Sequence, residues 1–298
     1  MVRDGRFAPS PTGTLHLGNL RTALLAWLFA RGAGARFLVR VEDLDAGRSR
    51  PATVDEQLDD LRRLGLEWDG AVVRQSERTA LYEAALERLR CAGMLYECWC
   101  TRREIREAGS APHGPLPGGA YPGTCAHLTA TQRAERVASG RPPALRVRAQ
   151  AAVVTFDDEV EGRVSGAVDD FVVRRNDGAF AYNLAVVVDD AEQGIGEVVR
   201  GADLLDSTPR QLWLAERLGL PAPRHAHVPL MLDHEGVRLA KRNGGATLAG
   251  RIALGETAPQ VCGRLAASLG LCAPGDCPTP QTLLERFDPA LLRERRAA

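Results

Sequence analysis

Two short stretches carry residue types suited to phosphate chemistry. The first is Pro11-Thr12-Gly13-Thr14-Leu15-His16-Leu17-Gly18-Asn19, between a short extended segment and an apolar helical run. Glycine lets a phosphate approach the backbone, and a helix N-terminus offers unpaired N–H groups and the positive end of a dipole. His16 stands at that entrance, where it could donate a hydrogen bond to charge developing on a phosphate. A histidine beside a glycine also often does no more than cap the helix. The second stretch is Arg238-Leu239-Ala240-Lys241-Arg242-Asn243-Gly244-Gly245, a basic loop ending in glycines. Of the 38 basic Lys and Arg residues, 37 are arginine, and Lys241 is the one lysine. A compact ammonium and a planar guanidinium are not interchangeable where a phosphate is held tightly. A mobile point charge suits a pyrophosphate leaving group. The bland alternative is a solvated basic turn.

A third constellation is Cys98-Trp99-Cys100, followed by Tyr121-Pro122-Gly123-Thr124-Cys125 with His127 two residues on. Three thiols this close suggest one structural zinc ion in tetrahedral coordination, folding a segment too poor in apolar residues to fold by itself. A fourth ligand is required. Tyr121 and His127 are both candidates, with His113 weaker; from ligand chemistry alone His127 comes first, because neutral imidazole is the commoner ligand. Cys91, Cys262, Cys272 and Cys277 read as lone thiols or core fillers.

The elements that must position these groups alternate between strand and helix. Residues 6–9 are extended and end at prolines, and residues 20–31 are apolar at helical spacing. Phe37–Val41 has strand length and composition. Thr53 with Glu56 reads as a capping box opening a helix that stops at Gly65, and Ser76 opens another that stops before Gly93. Residues 108–123 are a Pro- and Gly-rich loop, flanking strands are expected at 151–156 and 171–173, and residues 185–188 read as a buried strand. Thr208 and Pro209 open a helix as cap and first residue, and residues 250–298 are mainly helical. The order implies an α/β fold: a Rossmann-type parallel-sheet catalytic domain (1–95 and 181–245), a zinc-bearing α+β insertion (96–180) and a small C-terminal helical region (246–298).

The bulk numbers are those of an ordinary globular protein: 298 residues, 45% hydrophobic, 26% charged, formal net charge zero. They give no electrostatic case for nucleic acid or membrane, although a local basic face such as residues 102–106 could still serve. Seven cysteines, an odd number, without a secretion signal argue for reduced thiols and a cytoplasmic protein with no membrane association.

Together the two phosphate stretches resemble the HIGH and KMSKS signatures of class I aminoacyl-tRNA synthetases. His16-Leu17-Gly18-Asn19 matches the first and residues 238–242 the second, with Asn19, Arg238 and Ala240 as departures. The missing Ser hydroxyl at Ala240 removes one possible phosphate donor. Arg6-Phe7-Ala8-Pro9-Ser10-Pro11-Thr12-Gly13, Arg40-Val41-Glu42-Asp43-Leu44-Asp45, Leu66-Glu67-Trp68-Asp69-Gly70, Ala181-Tyr182-Asn183-Leu184-Ala185 and Val199-Arg200-Gly201-Ala202-Asp203-Leu204-Leu205 follow the glutamyl branch in order, over about residues 5–250. The resemblance implies ATP as substrate, with Mg, held by His16, Gly18, Asn19 and Lys241; His16 and Lys241 would stabilise phosphate charge. It implies L-glutamate held by Arg6 and Arg200 on its carboxylates and Glu42 on its ammonium, with Tyr182, Phe7, Ala8, Pro9 and Ser10 around it. A dianion carrying one ammonium asks for that charge pattern independently. The spacing of Tyr121 and Cys125 is similar to that in the short glutamyl-Q members, which makes Tyr121 the fourth zinc ligand beside Cys98, Cys100 and Cys125.

Only 57 residues follow Lys241, too few for a further anticodon-binding domain beside the expected helices. That architecture resembles the glutamyl-Q tRNA(Asp) synthetase family, which implies tRNA-independent glutamate activation and transfer to the queuosine base at the wobble position of the tRNA(Asp) anticodon stem-loop. The chain is expected to be a monomer. The alternatives are a truncated glutamyl-tRNA synthetase charging the 3′ end of tRNA(Glu), a different nucleotidyltransferase with the same phosphate loop, and a non-catalytic nucleotide- or RNA-binding paralogue.

Overall fold

The computed structural model describes residues 3–109, 120–231 and 246–294. Its strands are β1 (Asp4–Phe7), β2 (Phe37–Val41), β3 (Val73–Arg74), β4 (Leu95–Cys98), β5 (Ala144–Val147), β6 (Val153–Asp158), β7 (Gly162–Ala167), β8 (Val172–Arg174), β9 (Ile195–Gly201) and β10 (Arg224–Val228). Its helices are α1 (Leu17–Gly32), α2 (Pro51–Arg63), α3 (Thr79–Cys91), α4 (Arg102–Gly109), α5 (Ala130–Ala138), α6 (Tyr182–Glu192), α7 (Thr208–Arg217), α8 (Leu248–Ala253), α9 (Ala258–Ser268), α10 (Pro280–Leu284) and α11 (Ala290–Glu294). Among the described residues no helix is long and apolar enough to cross a membrane.

The main sheet runs β3-β2-β1-β9-β10-β6-β7, parallel throughout except for the β6–β7 hairpin. The chain winds outward from β1 to β3 on one side and returns on the other with β9 and β10. The strand order therefore reverses between β1 and β9, where open α/β sheets form ligand crevices beyond their carboxyl ends. Alternation along the strands separates two cores. On β2, Phe37, Val39 and Val41 join the core built on α1 and α2, while Arg40 between them turns to α6. On β1, Phe7 packs with α1 and Arg6 turns to α6. A Cβ on Gly5 would lie 3.0 Å from the Ala30 Cβ, so glycine relieves a tight contact where α1 packs on β1. The second core joins α3, α6 and α7 to β5 and β8.

Several boundaries and one element differ from the sequence reading. Residues 185–188 are not a strand but the middle of α6, whose residues 184–190 are all buried. A short apolar run looks the same in a doubly covered strand and in a helix packed all round. Helix α2 starts at Pro51, with no side-chain cap, rather than at Thr53; proline's fixed φ suits the first turn. Ser76 lies in a 3-10 turn before α3, held by Asp43, and the buried stripe of α3 includes Tyr82 and Leu86 while Leu81 is exposed. Thr208 is the first residue of α7, with Ser207 as its cap.

Residues 96–180 contribute strands to two sheets. Strands β4, β5 and β8 form their own antiparallel sheet, but the β6–β7 hairpin joins the edge of the main sheet through β10. An open edge at β10 would leave backbone groups unpaired, and the hairpin covers it. The C-terminal helices share the α1 core through Val261, Cys262, Leu265, Ala266, Leu269, Leu283 and Leu292.

Candidate active site

The carboxyl ends of β1, β2 and β9, with the turn leading into α1, enclose a cavity of ≈ 490 Å³. Its lining includes Arg6, Phe7, Ala8, Pro9, Ser10, His16, Gly18, Asn19, Glu42, Tyr182 and Arg200, so the structure gathers every described residue singled out for glutamate or ATP. Lys241 and the rest of residues 232–245 lie outside the described residues, as does His113. Met231, just before that stretch, lines the cavity. Ala246, just after it, accepts a 2.7 Å hydrogen bond from the Leu17 N–H, and Thr247 bridges to His16.

The entrance of α1 is built from a reciprocal cap. Asn19 N–H donates to His16 Nδ1 (3.2 Å), and the His16 N–H donates to Asn19 Oδ1 (3.2 Å). His16 is therefore the cap of the helix, the second of its two readings. Because Nδ1 accepts, the neutral ring carries its proton on Nε2. Gly18 explains the spacing: a Cβ there would stand 3.0 Å from the His16 ring. The loop before the helix is tied from α2, where buried Gln57 donates to the carbonyls of Ser10 (3.2 Å) and Gly13 (2.7 Å).

Charge is concentrated on the α6 side. Arg6 pairs with Asp190 at 3.3 Å. Arg40, fully buried, donates to Asp190 at 2.7 Å and to Gln193 at 2.9 Å, and lies 3.5 Å from Glu42 and 3.7 Å from Asp189. Asp189 is balanced separately by Arg78 at 2.6 Å, Gln75 and Tyr82. Arg200 donates to His227 Nε2 (3.0 Å), Thr208 Oγ1 (2.7 Å), Tyr182 Oη (3.4 Å) and the Leu204 carbonyl (3.4 Å). Arg6 and Arg200 line the cavity together with Glu42 and Asp203, while Asp190 stands behind, between Arg6 and Arg40; two carboxylates, Glu42 and Asp190, thus share Arg40. The two carboxylates differ. Burial pushes the Glu42 carboxyl up against the pull of Arg40 and Arg6. Asp190 feels the same burial, but Arg40 and Arg6 hold it down at about 2.

The sequence reading passed over Arg40, Asp190, Gln57, Asp158, Thr208 and His227. A charge inside the β-branched run of β2 and an acidic pair inside the apolar run of α6 were the available signals, since buried charges occur in compensating sets.

A second cluster lies in the smaller sheet's neighbourhood. The Sγ atoms of Cys98, Cys100 and Cys125 are all within 4.8 Å of one another, and Cys100 and Cys125 are 3.5 Å apart. Tyr121 Oη stands 3.4 Å from Cys98 Sγ and 3.6 Å from Cys100 Sγ, and accepts the Cys125 N–H at 2.8 Å. Tetrahedral zinc with thiolate bonds of about 2.3 Å needs sulfur atoms roughly 3.8 Å apart. The donor set and spacing fit that ion. The Arg146 guanidinium lies 3.7 Å from the Tyr121 ring centroid, a cation–π contact that holds the ring in place. His127 is exposed and outside the group.

Residues 2–256 match the family described as tRNA synthetases class I (E and Q), catalytic domain. A glutamyl-Q tRNA(Asp) synthetase of Nocardia farcinica is 60% identical over 288 residues, covering 97% of this chain and 90% of the relative. One from Symbiobacterium thermophilum is 50% identical, covering 95% and 92%. The crystal structure of a glutamate tRNA ligase from Elizabethkingia meningosepticum superposes with a TM-score of 0.81 at 27% identity, over 98% of this chain and 66% of that enzyme. With a crevice at the strand-order reversal, a His-x-Gly helix entrance and these relatives, the chain belongs to the class I tRNA synthetases of the glutamyl and glutaminyl type, in the glutamyl-Q tRNA(Asp) synthetase family.

Proposed function

We propose that this chain activates L-glutamate with ATP to glutamyl-adenylate without tRNA. It then transfers glutamate to the queuosine base at the wobble position of the tRNA(Asp) anticodon stem-loop, working in the cytoplasm as a monomer. The observation that carries the activation step is the meeting of the Arg6 and Arg200 guanidiniums with the Glu42 carboxylate in one cavity, the charged groups that a dianion with one ammonium needs. Support for the acceptor comes from relatives that bear the glutamyl-Q tRNA(Asp) synthetase name at 45–60% identity.

In this reading Arg6 and Arg200 take the two carboxylates and Glu42 takes the ammonium. Tyr182 closes the pocket, with residues 7–10 lining it. Gly18 admits the triphosphate at the helix entrance, beside Asn19. As a substrate carboxylate oxygen attacks the α-phosphorus, the bond to the pyrophosphate oxygen breaks, and His16 Nε2–H and Lys241 stabilise the charge that develops. The protein supplies positioning and electrostatics, with no protein nucleophile. Magnesium accompanies ATP. Cys98, Cys100, Cys125 and Tyr121 would hold one zinc ion, whose role is to fold the segment around them.

The test is ATP–pyrophosphate exchange with glutamate, glutamine or aspartate and no tRNA, followed by transfer of labelled glutamate to tRNA(Asp) with and without queuosine. Exchange with glutamate alone and queuosine-dependent transfer are expected. Exchange that requires tRNA, or label on the 3′ end, would overturn the proposal.

A further inference from the structure

Behind Arg200 lie three buried polar side chains: Asp158 at the end of β6, His227 on β10 and Thr208 at the start of α7. Asp158 Oδ1 accepts the backbone N–H groups of Val160 (2.9 Å), Glu161 (2.9 Å) and His227 (3.1 Å). Its Oδ2 lies 2.6 Å from His227 Nδ1. Burial raises the Asp158 carboxyl, but the hydrogen bonds from His227 and these amides bring it down to about 2, so it is an acceptor only. His227 is 0% exposed, and burial lowers its pKa despite Asp158. The ring is neutral, with its proton on Nδ1 toward Asp158. The lone pair on Nε2 then accepts Arg200 Nε–H.

A guanidinium has five N–H donors. His227, Thr208, the Leu204 carbonyl and Tyr182 take four of those on Arg200, leaving one on Nη1 beside Tyr182. Tyr182 Oη accepts from Arg200, so its own proton remains to donate. This edge therefore offers donors and no acceptor, which suits a carboxylate and disfavours an amide.

We propose that Asp158 and His227 are positioning residues for the glutamate carboxylate. The Asp158 carboxylate selects the Nδ1–H tautomer of His227, and the Nε2 lone pair of that tautomer sets the plane in which Arg200 meets the substrate. The proposal rests on the reading of Arg200 as a glutamate ligand.

Asp158→Asn tests it. Three backbone donors hold the amide oxygen on their side, which turns the amide NH₂ toward His227 Nδ1. That nitrogen must then accept, and the ring proton moves to Nε2, where Thr208 Oγ1 at 3.1 Å can accept it and Arg200 Nε–H loses its acceptor. The expected result is a rise in glutamate KM of roughly 10- to 100-fold, with ATP KM within about twofold of the parent. Nitrogen-15 imidazole spectra should report Nδ1–H for His227 in the parent and Nε2–H in Asp158→Asn. Adding His227→Gln to Asp158→Asn supplies an amide oxygen where Nε2 stood, and should recover most of the lost glutamate affinity. An Nε2–H tautomer in the parent would overturn the proposal. So would an unchanged tautomer and glutamate KM in Asp158→Asn, or a double variant no better than the single one. Absence of glutamate-dependent exchange in the parent would instead overturn the substrate reading, which the tautomer spectra do not depend on.

Discussion

Glu42, in the cavity lining, and Asp190, behind Arg6, should respond oppositely to neutralisation. Arg40 and Arg6 hold the Asp190 carboxyl down at about 2, below the ordinary carboxylate range, so its ionisation stabilises the folded state by about 2 kcal/mol at neutral pH. Because the folded value is depressed, that stabilisation is present above about pH 4 and lost as pH falls toward 2. Asp190→Asn also breaks buried contacts to Arg40 and Arg6, a class of change that costs about 3–5 kcal/mol. Its melting temperature should fall by roughly 5–15 °C. The Glu42 carboxyl is raised by burial, so its ionisation opposes folding at neutral pH, and Glu42→Gln should melt at the parent temperature or above. The same change removes the partner proposed for the substrate ammonium, a charge-assisted hydrogen bond of about 1.5–3 kcal/mol, and glutamate KM should rise roughly 10- to 100-fold. Thermal melts at pH 7 beside ATP–pyrophosphate exchange read both quantities. Equal destabilisation by the two variants, or an unchanged glutamate KM in Glu42→Gln, would refute the division of labour.

On acidification, glutamate affinity should weaken while the fold holds, because Glu42 protonates above the ordinary carboxylate range and Asp190 stays ionised down to about pH 2; KM against pH beside thermal melts checks this. Purified protein should carry one zinc per chain by elemental analysis; Tyr121→Phe should lower metal retention by roughly 10-fold or more, whereas His127→Ala should leave it unchanged. Lys241→Arg should abolish most adenylation despite conserving charge, since a rigid fork does not replace a compact ammonium; near-normal exchange would refute that reasoning.

Sequence alone determined the parts governed by local chemistry. A histidine and a glycine two residues apart at a helix start, and a lone lysine among 37 arginines, singled out the residues proposed to meet phosphate. The ordered blocks around Arg6, Glu42, Tyr182 and Arg200 singled out the proposed glutamate ligands, and one cavity gathers them. What local pattern could not decide was which elements face each other. The run at 185–188 has no period to separate strand from helix, and only packing on the sheet makes it α6. Arg40 in a strand reads as a surface charge until β2 is laid against Asp189 and Asp190, 149 and 150 residues further along. Ligand chemistry favoured His127, but the turn at residues 121–125 puts the tyrosine oxygen among the thiols. Asp158 and His227 are unremarkable singly, and become a relay because β6 pairs beside β10. Local propensity acts through neighbours in the chain, whereas a buried charge or tautomer is fixed by partners that only the closed sheet brings within hydrogen-bond reach.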